Sequence, residues 1–140
     1  MHHMLYFRRI AVAVLVVAVA GCGSSDDQME TSSVTGTVTY DGKPVATGTV
    51  MFTPVGGGPP ATGQIQEDGT YQLRTYEEGD GAVFGEHKVT ITALDMGSGL
   101  PEDMATEPKP LVPEKYGRDT TSGLTATVAS GENTIDFPLE

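Results

Sequence analysis

The chain of 140 residues lacks tryptophan, has one cysteine and contains no apolar stretch of the length that crosses a bilayer. Its longest apolar run, residues 10–20, would extend about 16 Å as a helix, whereas a membrane span requires about 20 apolar residues. The lone Cys22 excludes an intrachain disulfide. The folded part must therefore be stable through its core alone, and any membrane attachment must use something other than a spanning helix.

Basic residues are also scarce, with 8 Lys and Arg against 19 Asp and Glu and a formal net charge of −11. Two of the basic residues, Arg8 and Arg9, precede the apolar run, so the remainder has six basic against nineteen acidic residues. A surface this acidic repels nucleic acid and anionic lipid headgroups. The charge excludes nucleic acid as a partner. Its simplest consequence is solubility, and calcium or a cationic partner is an open alternative.

The N-terminus has the layout of a cleavable secretion signal. Arg8 and Arg9 form a positive region, residues 10–20 form a short apolar region, and two small residues then precede Cys22. This order is typical of a secretory signal peptide, which the length of the apolar run separates from a membrane span. Residues 1–21 are therefore predicted to be removed.

The cleavage region resembles the lipobox of bacterial lipoproteins, with the sequence Val19-Ala20-Gly21-Cys22. The resemblance implies that Val19, Ala20 and Gly21 are recognised for cleavage and that the Cys22 thiol carries acyl chains such as palmitate. An ordinary signal peptide followed by an incidental cysteine is the alternative. Each buried methylene contributes about 0.8 kcal/mol, so two or three chains would make the attachment practically permanent.

Residues 22–32 begin with a small, polar run and indicate a flexible tether between the lipid and a domain at 33–140. Gly23 directly follows the cysteine. In the lipoprotein family an aspartate at that place often signals retention at the inner membrane. The resemblance therefore implies a lipid-anchored protein of the bacterial cell envelope, at the outer membrane and facing the periplasm.

Residues from 33 onward alternate apolar and polar with period two, which is typical of strands. Turn signals such as Asp41-Gly42 separate the strands. No stretch has helical periodicity of useful length. The strands are predicted at 34–40, 48–53, 61–66, 71–75, 85–94, 124–128 and 134–139. About seven short strands over roughly 100 residues predict an all-β fold, an antiparallel β-sandwich.

Several segments resemble carboxypeptidase regulatory-like domains: GTVTYDGKPV at 36–45, GTVMF at 48–52, DGTYQL at 68–73 and GEHKVTI at 85–91. The resemblance implies a transthyretin-like (prealbumin-like) sandwich that acts as a non-catalytic module in folding, adhesion or carbohydrate contact. His87 departs from the pattern, since an aromatic residue is usual there.

Residues 95–122 break the alternation with four prolines and are predicted to form a long surface loop. Loops of this length in compact domains tend to be functional or disordered. Tyr116 and Arg118 are candidates for a contact surface, because these residue types are enriched at binding hot spots. The alternative is that Leu111, Val112 and Tyr116 pack over a sheet edge and protect it.

Catalytic patterns are absent from the sequence. His87 is the only histidine after residue 21, too few for a histidine-based zinc site without carboxylates placed by the fold. Between Glu86 and Lys88 it is expected at the sheet surface. No Gly-x-Ser-x-Gly elbow is present. We therefore expect no enzymatic activity and no cofactor.

Glu77, Glu78 and Asp80 form the densest acidic cluster. A short loop can supply several oxygen ligands to a hard cation. A solvated acidic turn explains the same residues.

The sequence favours a structural or protein-binding domain at the cell envelope, with an envelope protein or glycan as partner. A carbohydrate-binding module is the alternative from another class. Such modules stack sugars on exposed aromatic rings, and the candidates here are Tyr40, Tyr71, Tyr76 and Tyr116. Two or more tyrosines exposed in one groove would favour the carbohydrate-binding module.

Overall fold

The computed structural model describes residues 27–97, 99–102 and 107–140, which form strands and a single 3-10 turn of helix at Glu114–Gly117. The strands are β1 (Thr31–Ser32), β2 (Val34–Tyr40), β3 (Lys43–Pro44), β4 (Thr49–Pro54), β5 (Ala61–Gln64), β6 (Thr70–Gln72), β7 (Ala82–Val83), β8 (Gly85–Thr92), β9 (Leu94–Asp95), β10 (Lys109–Pro110), β11 (Leu124–Val128), β12 (Asn133–Thr134) and β13 (Phe137–Leu139).

Two main sheets form the sandwich, and two smaller sheets pair β1 with β7 and β9 with β10. One main sheet is antiparallel with the order β11-β8-β4-β5, and the β4–β8 pair runs from Thr49 opposite Thr92 to Pro54 opposite His87. The other is built around β2, which pairs antiparallel with β3 and β6 and parallel with β12 and β13. The all-β sandwich predicted from the alternation is confirmed.

The core lies between the sheets and consists of the apolar half of each alternating strand. Val34 and Val38 of β2 are fully buried, while the threonines between them are partly exposed. The ring of Phe52 in β4 crosses to the second sheet, with its centroid 5.9 Å from that of Phe137 in an edge-to-face arrangement. Burial of such side chains contributes about 1.5–3 kcal/mol each and is the main stabilising term in a chain without disulfides.

The last predicted strand, 134–139, is divided into β12 and β13, and both pair parallel to β2. The division has a local cause. The Asp136 carboxylate accepts hydrogen bonds from the Thr37 backbone N–H at 2.9 Å and from the Thr37 hydroxyl at 3.0 Å. A side chain thus takes the place of a backbone acceptor between the two short strands.

The sandwich has two ends, fixed by the strand registers. The N-terminal end carries residues 27–33, the loop 55–60, the segment 73–84 and the turn 129–133. It is joined by hydrogen bonds from Asn133 N–H to Ser33 O and from Val55 N–H to Glu86 O, both at 2.9 Å. The opposite end carries the turn at 41–42, the hairpin at 67–69 and the described residues between 93 and 123.

The domain begins two residues before the predicted boundary at 33. Thr31 and Ser32 form β1 and pair with Val83 and Ala82 of β7, and Ser32 is only 8 % exposed. The predicted tether 22–32 therefore extends too far at its C-terminal limit. Local periodicity could not show this, since the pairing partner lies about fifty residues away.

Most described residues of the predicted surface loop 95–122 are exposed, but the segment also contains short elements and two core residues. β10 pairs with β9, the 3-10 turn follows, and Val112 and Tyr116 belong to the hydrophobic core. The Ser122 hydroxyl donates to Val89 O at 2.7 Å and fixes the end of the segment on β8. Four prolines obscure the periodicity without preventing the packing.

Candidate functional site

The structure separates the predicted contact pair. Tyr116 lies in the 3-10 turn with its ring only 7 % exposed. Its hydroxyl donates to Glu140 O at 2.9 Å and accepts from Glu140 N–H at 3.2 Å. Tyr116 therefore corresponds to the packing interpretation and offers no accessible ring for a partner.

Arg118 follows the turn and is exposed. Its carbonyl accepts hydrogen bonds from the backbone N–H groups of Thr121 and Ser122. The residue borders a shallow pocket of about 270 Å³, shared with Leu94, Pro110 and others. Arg118 thus retains the exposure that a contact role requires, in surroundings that are largely apolar.

His87 was expected at the sheet surface and is instead fully buried. Its Nε2 lies 2.8 Å from Val83 O, and its ring centroid is 5.5 Å from that of Phe52. Nδ1 has no hydrogen-bond partner among the described residues. The correction has a simple reason: His87 shares its parity with Val89 and Ile91 of β8, and this parity outweighs the charged neighbours on either side.

The acidic cluster is organised by one of its members. The Asp80 carboxylate accepts the backbone N–H groups of Thr75 at 2.7 Å, Tyr76 at 2.9 Å and Glu77 at 3.0 Å. Desolvation raises the pKa of Asp80, but these three hydrogen bonds outweigh it and the net pKa is lowered. Asp80 thus holds the turn together. Within 27–97, 99–102 and 107–140, no three His, Cys, Asp or Glu residues are placed to hold a metal ion.

A polar groove of about 1050 Å³ lies along the side of the sandwich, where β5 meets β2 and β6. The groove combines hydroxyl, amide and charged side chains: Thr35, Thr37, Thr62, Gln64, Gln66, Thr70, Gln72, Arg74, Glu78, Thr134 and Asp136. We call it the polar groove. Sequence reasoning missed it, although the polar half of each alternating strand was the available signal. The groove depends on the bridge between Thr62 of β5 and Arg74, which no local pattern predicts.

The tyrosines do not form a stacking platform in the polar groove. Tyr71 borders it but is only 2 % exposed, and its hydroxyl donates to Ile135 O. Burial, with a smaller contribution from the charge of Asp136, raises the pKa of the Tyr71 hydroxyl. Tyr76 is 37 % exposed and lies at the N-terminal end. The groove can therefore recognise a ligand through hydrogen bonds, without aromatic stacking.

Membrane attachment is predicted through Cys22, with Val19, Ala20 and Gly21 recognised for cleavage. Val19, Ala20, Gly21 and Cys22 lie outside the described residues. In the part of the chain that the structure describes, no helix has the length and apolarity of a membrane span.

No family model and no curated protein matches the chain. Among solved structures, it is similar to a DUF3823 family protein from Parabacteroides merdae, with 14% sequence identity and a TM-score of 0.40. The match covers 80% of this chain and 47% of that chain, so this chain spans about half the length of that protein. A likeness this distant carries no information about function.

Proposed function

We propose that the protein is a lipid-anchored component of the bacterial cell envelope whose β-sandwich serves a non-catalytic structural or protein-binding role. The observation that carries the proposal is the sequence Val19-Ala20-Gly21-Cys22 behind a short apolar run and two arginines. Gly23 favours the outer membrane, facing the periplasm.

The geometry of the domain supports a role without catalysis. His87 is packed against Phe52 and Val83 and does not border the polar groove. Both carboxylate oxygens of Asp80 accept hydrogen bonds from backbone N–H groups of its own turn. His87 and Asp80 are thus engaged in holding the fold, which is the arrangement expected of a binding or structural domain.

The anchor is tested by Cys22→Ser in the full chain, with Ser25→Ala as the matched control. We expect the Cys22 variant to leave the membrane fraction or to accumulate as uncleaved precursor, because it has no thiol to acylate. The Ser25 variant should fractionate like the parent. Mass spectrometry of mature protein should show an acylated Cys22. Unchanged fractionation of the Cys22 variant, or an unmodified thiol, would refute the anchor.

Carbohydrate binding is the second candidate, and the polar groove is what favours it. Hydroxyl and amide side chains suit a neutral, polyhydroxylated ligand, but the missing stacking platform reduces the apolar contribution to affinity. Calorimetric titration of the domain with soluble envelope glycans tests it, with Gln72→Ala as the weakened variant. Absence of binding heat for the parent protein would leave the structural or protein-binding role.

A further inference from the structure

The N-terminal end of the sandwich exposes apolar side chains from four segments of the chain. Their exposed fractions are between 37 % and 55 %, which is high for residues of this size. We call the set the apolar end patch: Met29, Val55, Tyr76 and Phe84.

Contacts of both backbone and side-chain atoms bring these segments together. The Met29 N–H donates to the Tyr76 hydroxyl at 3.0 Å, and the Met29 sulfur lies 2.9 Å from the position that a Cβ on Gly58 would take. Val55 is joined to the start of β8, which Phe84 directly precedes, by the hydrogen bond from its N–H to Glu86 O. The patch is therefore one region of the surface.

The chain between Cys22 and Met29 limits how far the apolar end patch can lie from Cys22. Met29 is seven residues beyond Cys22, and seven residues span at most about 25 Å when fully extended. A lipid on Cys22 would thus keep this end of the domain within that distance of the bilayer. The opposite end, with Asp41-Gly42 and Arg118, has no such constraint.

We propose that the apolar end patch lies against the surface of the bilayer that holds the lipid, so that the opposite end is directed away from the membrane. The inference rests on the proposed lipid anchor. Apolar and aromatic side chains partition into the interfacial layer, and tethering raises their local concentration there, so weak individual contacts suffice.

The charges around the patch specify which lipids suit it. Glu30, Glu77, Glu78 and Glu86 are exposed at the same end. Anionic headgroups repel them, and salt screens that repulsion over a distance of about 8 Å at physiological ionic strength. The patch is therefore suited to zwitterionic headgroups and should withdraw from strongly anionic ones at low salt.

The orientation also says which surface a protein partner would meet. Leu94 is 41 % exposed and Met96 70 % exposed at the end directed away from the bilayer. The shallow pocket beside Arg118 lies at the same end. A partner reaching the protein from the periplasm would thus meet the end that carries Met96 and Arg118 first.

Position-specific quenching in vesicles tests the orientation. The full lipidated protein is reconstituted in phosphatidylcholine vesicles with Val55→Cys and, as the matched control, Met96→Cys, each labelled with an environment-sensitive fluorophore. Interfacial side chains enter roughly 5–10 Å into the headgroup region, so we expect spin-labelled lipid to quench the label at 55 at least about twofold more than the label at 96. Equal quenching, or stronger quenching at 96, would overturn the orientation.

Two further readouts separate the failure of the orientation from that of the anchor. An unmodified Cys22 by mass spectrometry overturns the proposed anchor and, with it, the orientation. An acylated Cys22 with unselective quenching overturns the orientation alone. In vesicles containing phosphatidylglycerol, quenching at 55 should rise when salt is added, and a fall would contradict the role given to the acidic residues.

Discussion

In this domain, several carboxylate side chains accept hydrogen bonds from backbone N–H groups. Asp136 accepts the Thr37 N–H between two short strands, and Asp80 accepts three consecutive N–H groups in its turn. Asp68 does the same in its hairpin, where hydrogen bonds from the Thr70 hydroxyl and then its N–H lower the pKa of the carboxyl. Several of the acidic residues that make the chain strongly negative are thus structural.

Asp80→Asn should destabilise the domain by about 1–2 kcal/mol at neutral pH, since an amide replaces one accepting oxygen with a donor facing a backbone N–H. The pKa of Asp80 is lowered in the folded state, so its contribution is present above the unfolded pKa near 3.8 and is lost as the pH falls through the folded value. Urea unfolding at pH 7 and below pH 3 measures both effects.

Glu78→Gln is the control for that experiment, because Glu78 is an exposed neighbour in the same turn. It should change stability by less than about 0.5 kcal/mol. A difference between parent and Asp80→Asn that persists unchanged at low pH would contradict the assigned role of the carboxylate.

Gly36→Ala should lower the free energy of unfolding by several kcal/mol or prevent folding. A Cβ on Gly36 would lie far inside contact distance of Ile135 O and 3.0 Å from the Tyr71 ring, so β2 and the chain after β12 could not approach each other. The control is Gly56→Ala, where a Cβ meets nothing within 4 Å. Thermal unfolding of the two variants measures the contrast, and similar melting temperatures would show that the close approach is not required.

At the level of elements, residues 111–122 pack against the sandwich instead of forming a free loop. They place Val112 and Tyr116 in the core. The 3-10 turn packs against β8, and Ser122 is hydrogen-bonded to the same strand. This packing covers part of a sheet that would otherwise expose apolar surface.

Tyr116→Phe should destabilise the domain by about 1 kcal/mol, because the hydroxyl loses its two hydrogen bonds to the Glu140 backbone. Tyr116→Ala should lower the free energy of unfolding by about 3 kcal/mol or more, because it leaves a cavity in the core. Arg118→Ala, two residues away and exposed, should have little effect on denaturant midpoints. Equal effects at 116 and 118 would contradict the packing role.

The elements differ in how far their sequence predicted them. The strand at Leu124–Val128 was predicted with its observed bounds, since alternation and flanking turns agree there. The pairings of β1 with β7 and of β9 with β10 escaped prediction, because strands of two residues carry no periodicity. The alternation of β8 already places His87 with the buried Val89 and Ile91, and its charged neighbours do not predict its burial.

For the whole molecule, the dominant feature is its charge. A net charge of −11 destabilises the compact state through self-repulsion. Acidic residues lie at the N-terminal end and along the groove, including Glu78 and Asp136. The repulsion is long-ranged and is therefore sensitive to ionic strength.

Raising the ionic strength from about 0.01 M to about 0.15 M should raise the melting temperature, since the screening length falls from about 30 Å to about 8 Å. Thermal unfolding followed by circular dichroism measures the change. Sodium and potassium chloride should act alike if screening is the cause. A melting temperature that falls with salt would indicate that attractive ion pairs dominate.

The sequence alone determined the fold class, the strands with clear alternation and the hypothesis of a lipid anchor. Each of these depends on residues close together in the chain: a period of two, a turn dipeptide, or four consecutive residues around a predicted cleavage site. Only the tertiary structure decided that Tyr116 packs inward, that strands β12 and β13 run parallel to β2, and where the polar groove and apolar end patch lie. Those features join segments that are tens of residues apart, and local patterns carry no record of which distant segments will meet.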